Sequence, residues 1–114
     1  MFATWSFGRE QPLDSAALRA AIGALPPAVI RAKGIVRLAE APGRRFVLQL
    51  VGRRWSLEPK DIDADRAGLG RSVVVCIGPA DELDPAGLEA LFATVGSAIV
   101  PSTIAALLQP EGRP

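Results

Sequence analysis

Hydrophobic and polar positions along this chain follow two rhythms, one of period two and one near 3.6. The period-two stretches come first. FATWSF, residues 2–7, is aromatic and β-prone with Ala3, Trp5 and Phe7 on one face, which predicts a first strand. VIRAKGIVRLA, 29–39, puts Arg31, Lys33, Ile35 and Arg37 on one face and Ile30, Ala32, Gly34, Val36 and Leu38 on the other, because successive side chains of an extended chain point to opposite sides. That strand has a dry side and a basic side. A turn over EAPGRR, 40–45, leads into RFVLQLV, where Phe46, Leu48 and Leu50 share a face. Gly52 and Arg53 sit at a tight hairpin turn, and RWSLE sets Trp55 and Leu57 inward against Arg54, Ser56 and Glu58 outward, so three strands form a meander. SVVVCIG, 72–78, is apolar on both faces and reads as a central strand.

The helical rhythm occurs twice. LDSAALRAAIGAL, 13–25, offers Asp14 as N-cap, Leu13 and Leu18 as a hydrophobic staple, and a stripe of Leu18, Ile22 and Leu25, with Pro26 and Pro27 ending it. LDPAGLEALFATVG, 83–96, repeats the opening with Asp84 as N-cap, Pro85 in the first turn and Leu88, Leu91, Phe92 and Val95 as its stripe. Two strand-then-helix units share one start signal. Between them PKDIDADRAGLGR, 59–71, is a polar loop, and beyond residue 96 an apolar stretch, AIVPSTIAALL, closes on a frayed tail at 109–114. The predicted order is β-α-β-β-β-β-α: an α+β fold, with a largely antiparallel sheet of about four to five strands, two helices on one face and the other face open. Residues 1–114 are expected to form a single domain.

Composition narrows the chemistry. There is no histidine and one cysteine, Cys76, so the chain cannot assemble a closed Cys/His zinc site, and a disulfide within it is excluded. Cys76, in the most apolar strand, reads as an inert core thiol. No apolar run approaches the ~18–20 residues of a membrane span, and a cytoplasmic protein is expected. The net charge is only +1, yet residues 31–55 hold seven cations against one acid, Glu40. Asp61, Asp63 and Asp65 resemble the start of an EF-hand loop, but Arg66 stands where the sharp turn needs Gly and Ser72 where a bidentate Glu belongs, so they read as a polar loop. Carboxylates lack a nucleophile motif and serines lack a histidine partner, and no enzyme is expected.

The succession RAKGIVRLA, FVLQLVGRRWSLEP, a polar insert, SVVVCIG and LDPAGLEALFATV, preceded by the aromatic strand and the LDSAAL helix, resembles the C-terminal domain of CobW-type proteins over about residues 2–96. Arg31, Lys33, Gly34, Val51, Gly52, Ile77 and Gly78 are its anchors. The CobW family comprises phosphate-loop GTPases associated with metal delivery, cobalamin synthesis and zinc homeostasis. The resemblance implies that an N-terminal GTPase half holds the nucleotide and the main metal-binding cysteines, with GTP and a divalent metal such as zinc or cobalt as the full-length family's cofactors. It implies that this half contacts the GTPase domain, the metalloprotein client, or both. The chain departs from a complete member: it has no G-x-x-x-x-G-K-[ST] loop to cradle a triphosphate, no C-x-C-C cluster, and none of the histidines many members carry near this domain. No cofactor or metal ligand is therefore assigned within it.

The expected role is a non-catalytic interaction or regulatory domain that works through a basic open sheet face, with Arg31, Lys33, Arg37, Arg45 and Arg54 as the candidate contact residues. The competing reading is a stand-alone open-faced sheet that binds RNA or an unrelated acidic protein. Against RNA stands the lack of outward aromatics on the meander strands, since bases need rings to stack on.

Overall fold

The structure, a computed structural model, describes residues 1–60 and 71–95. Five strands, β1 (Phe2–Arg9), β2 (Arg31–Leu38), β3 (Ala41–Val51), β4 (Arg54–Lys60) and β5 (Ser72–Pro79), form one sheet in the spatial order β1-β5-β2-β3-β4. Every adjacent pair is antiparallel. Among the described residues, helices α1 (Ser15–Gly23) and α2 (Pro85–Phe92) complete the order β-α-β-β-β-β-α, and the fold is α+β as the patterning predicts. The last strand in sequence lies between the first two, so β1 and β2, both antiparallel to β5, run parallel to each other. Such strands need a crossover, and α1 supplies it.

The core lies between the sheet and the helices. Trp5 and Phe7 from β1 meet Phe92 of α2 with ring centroids 5.4 and 5.0 Å apart, a spacing that favours tilted aromatic contact. Ala32 and Val36 from β2, Leu48 and Leu50 from β3, and Val74 and Cys76 from β5 are buried on the same side, with Leu18 and Ile22 of α1 and Leu88 of α2 in one cluster. Trp55, half-buried on β4, lies under Arg19 of α1 with the guanidinium 5.9 Å from the ring centroid. This contact carries the helical layer out to the β4 edge.

The two aspartates that open the helices act differently. Asp14 accepts from the Ala17 N–H at 2.8 Å, a true side-chain cap. Asp84 stands at the N-cap position of α2 but makes no side-chain cap bond. The staple residues Leu13 and Leu18 are both fully buried. Helix α1 ends at Gly23, before the prolines, and Leu25 is buried from the connection that follows.

Three boundaries differ from the expectation. The turn read over 40–45 is shorter: β3 starts at Ala41, and the surplus residues form a bulge, since Leu38 pairs with Ala41 but Arg37 pairs with Arg45. The loop read over 59–71 starts later, because Pro59 and Lys60 extend β4. Proline is tolerated there because β4 is an edge strand. Ile30, assigned to the dry side of the second strand, precedes β2 and is 37% exposed. Asp61, Asp63, Asp65, the apolar stretch 98–108 and the tail 109–114 lie outside the described residues.

Candidate functional site

The helices cover one face of the sheet, and the register fixes what the other face carries. Lys33 is opposite Gln49 on β3 and Val75 on β5; Arg31 is opposite Val51 and Ile77; Ile35 is opposite Val47 and Val73. One row further, Arg37 is opposite Arg45, and Arg45 is opposite Lys60. Residues that pair directly share a face, so rows of alternating character cross the open side.

This face is apolar in the middle and basic around it. A concavity of about 730 Å³ is floored by Ile35, Val73, Val75 and Ile77 and bordered by Arg31, Lys33, Arg45 and Arg71. Ile35 is 42%, Val51 56% and Val73 37% exposed. The expected basic face thus also carries an apolar row. Large apolar side chains adjoin the cations on this face. Of the described strand residues on this side, Glu58, opposite Val47, is the one acid.

The five candidate residues do not form one cluster. Arg31 and Lys33 are exposed and flank the concavity, Arg54 is exposed opposite Val51 at the β4 edge, and Arg37 and Arg45 are half-buried side by side at the far end. Arg37 donates through one terminal nitrogen to the Glu10 carbonyl at 3.3 Å. Arg53, one of the seven cations of the basic segment, is engaged elsewhere: it donates to the Leu25 carbonyl at 3.3 Å and pins the β3–β4 hairpin to the α1–β2 connection.

The apolar floor and Arg71 are what sequence reasoning did not assign to the site. The signal was present in SVVVCIG. A strand apolar on both faces, within a sheet whose helices cover only one, must leave one apolar row uncovered.

Two glycines let the backbone pack closely here. A Cβ on Gly34 would stand 2.5 Å from the Val73 carbonyl oxygen, and one on Gly78 would meet the Ala28 carbonyl. Gly52, at φ +63°, takes the left-handed turn position that closes the hairpin.

The described residues do not fit a metal. No group of three or more ligating side chains occurs among them. Cys76 is fully buried in the core and burial pushes its thiol up to about 11, so the thiolate that a metal requires is disfavoured. No helix among the described residues is long and apolar enough to cross a membrane.

Compared with protein families, residues 2–95 match the family described as "Cobalamin synthesis protein cobW C-terminal domain". The chain belongs to the CobW C-terminal domain family. Among solved structures it is similar to the Zn(II)-bound YjiA GTPase from E. coli, with 23% identity and a TM-score of 0.67 over 81% of this chain and 29% of that one. A Zn(II)-bound triple mutant of the YjiA GTPase is similar at 22% identity and a TM-score of 0.64, with the same coverage. At these identities the likeness shows a shared fold. The CobW C-terminal domain described here thus spans about 29% of the length of those GTPase chains. None of the curated proteins matches it.

Proposed function

We propose that this CobW C-terminal domain is a non-catalytic docking unit of a metal-delivering GTPase system. It contacts the GTPase half through its open sheet face and passes the nucleotide state on to a metal-receiving client. The observation that carries the reading is the apolar floor of Ile35, Val73, Val75 and Ile77 bordered by Arg31 and Lys33. Fully burying one Val or Ile side chain contributes roughly 1.5–3 kcal/mol, so an apolar floor gives a partner adhesion while the cations set its orientation and association rate. Regulation requires that the GTPase half present different surfaces to this face in its nucleotide states, since only a difference in affinity shifts an equilibrium.

RNA fits less well. The exposed aromatic on the described strands is Phe2, on edge strand β1, away from the cations of β2 and β3, whereas stacking platforms carry rings among the basic residues.

The test is titration calorimetry of this domain with the GTPase half of a CobW-type protein from the same cell, supplied as a separate chain in each nucleotide state. A saturable complex is expected in one state, weakened at least about tenfold by Ile35→Asp, a ratio equivalent to about 1.4 kcal/mol. The Arg31→Glu, Lys33→Glu double variant is expected to slow association and to flatten the salt dependence. Equal affinity for wild type and Ile35→Asp would overturn the reading, and saturable, salt-dependent binding of single-stranded RNA in fluorescence anisotropy would favour its rival.

A further inference from the structure

Two arginines stand directly opposite each other where β2 and β3 pair, and each carries a buried side-chain N–H without a hydrogen-bond partner among the described residues. Arg37 and Arg45 are Cα partners, although like charges placed directly across an antiparallel pair repel. The bulge creates the juxtaposition. Regular pairing continued from Leu38 and Ala41 would put Pro42 opposite Arg37, but the register shift puts Arg45 there instead. Bulges re-aim side chains in this way beside functional sites.

Arg37 is also unusually well anchored. Its backbone N–H donates to the hydroxyl of the fully buried Ser72 at 2.9 Å, and its carbonyl accepts from the Leu13 N–H at 2.9 Å. Arg37 Nε and Arg45 Nη1 are buried and have no hydrogen-bond partner among the described residues. A buried charged N–H without an acceptor is costly, and a matching acceptor recovers that cost. Lys60 continues the row beyond Arg45, and on the other flank the Arg71 guanidinium lies over Gly8.

We propose that the Arg37–Arg45 pair is a receptor for a compact oxyanion carrying two or more negative charges. Such an anion accepts charge-assisted hydrogen bonds from planar guanidinium groups and cancels the repulsion between two arginines held opposite each other. Phosphate and clustered carboxylates share this chemistry. The site adjoins the apolar floor at Arg45 but uses none of Ile35, Val73, Val75 and Ile77, so its failure would leave the docking reading standing.

The test is a nitrogen–proton NMR titration of the full 114-residue chain with sodium phosphate, and in parallel with sodium citrate, each replacing sodium chloride at constant ionic strength. Saturable shifts are expected at the Arg37 and Arg45 side-chain N–H resonances and at the backbone amides of Ser72 and Leu38. Tighter phosphate binding would assign a phosphate ligand, and tighter citrate binding a carboxylate one. Arg45→Gln is expected to weaken binding at least about tenfold, whereas Arg54→Gln, at the other end of the face, should change it less than about twofold. If Arg45→Gln fails to fold, Arg45→Lys, which keeps the charge and loses the planar fork, is expected to weaken it at least about fivefold. Shifts that stay linear with both anions, or the same saturation in the Arg45 variant that folds, would overturn the assignment.

Discussion

Replacing Gly34 by alanine puts one methyl group into the seam between β2 and β5. Its Cβ would stand 2.5 Å from the Val73 carbonyl oxygen, 3.0 Å from a Val74 methyl and 3.1 Å from the Val74 Cα. Carbon–oxygen contacts between neighbouring strands normally fall at about 3.3–3.6 Å, so the strands must part by most of an ångström. No flexible side chain absorbs this, because the colliding oxygen belongs to the backbone of a strand paired on both sides. Overpacking of this kind costs about 1–3 kcal/mol, and a weakened ladder hydrogen bond about 1 more. Against that, alanine restricts the unfolded chain and returns roughly 0.4–1 kcal/mol. The net expectation is a loss of about 1–3.5 kcal/mol, seen as a fall of roughly 5–20 °C in the thermal midpoint of a domain this size. Circular dichroism melts and urea titrations with an unchanged m-value measure it. Gly23→Ala is the control: nothing lies within 4 Å of its added Cβ in the last turn of α1, and it should stabilise by up to about 1 kcal/mol. A Gly34→Ala midpoint within about 2 °C of wild type, or a loss of equal size at Gly23, would refute the reasoning.

The two helix caps should separate on mutation. Asp14→Ala removes a 2.8 Å cap bond and should cost about 1 kcal/mol in urea titrations, while Asp84→Ala, which breaks no side-chain cap bond, should cost less than about half as much; equal losses would contradict the capping geometry. Cys76 should give a pH signature. Its folded thiol, pushed up to about 11 by burial, keeps its proton where the unfolded thiol has lost it, so its contribution is complete below the unfolded value of about 8.5 and is lost as the pH rises through about 11. Over that window wild-type stability should fall more steeply than that of Cys76→Ala, by up to about 1.4 kcal/mol per pH unit, and parallel slopes would contradict the assignment. At pH 8 a thiol reagent should label Cys76 slowly in the native protein and at once in denaturant.

Much of this domain is legible in its sequence because its signals are local. Alternation in VIRAKGIVRLA placed Arg31 and Lys33 on one face and Ala32 and Val36 on the other, and the structure exposes the first pair and buries the second. Asp14 announced α1 because capping needs only residues within one turn. The apolar SVVVCIG announced a strand paired on both sides. The same cap signal at Asp84 located α2 without its hydrogen bond, since residue type marks a cap position but the backbone angles decide whether the oxygen reaches an N–H.

What the tertiary structure alone decided concerns neighbours distant in sequence. No local pattern says that β5 inserts between β1 and β2, yet that insertion sets Val73, Val75 and Ile77 beside Ile35 and turns a basic strand face into an apolar floor with a basic border. Nor does alternation reveal the bulge at residues 42–44, which places Arg45 opposite Arg37. Side-chain parity is a property of one strand, fixed by the geometry of consecutive residues. Register and strand order are properties of pairs, chosen by hydrogen bonding and packing across the whole sheet, and in this protein the character of the open face depends on them.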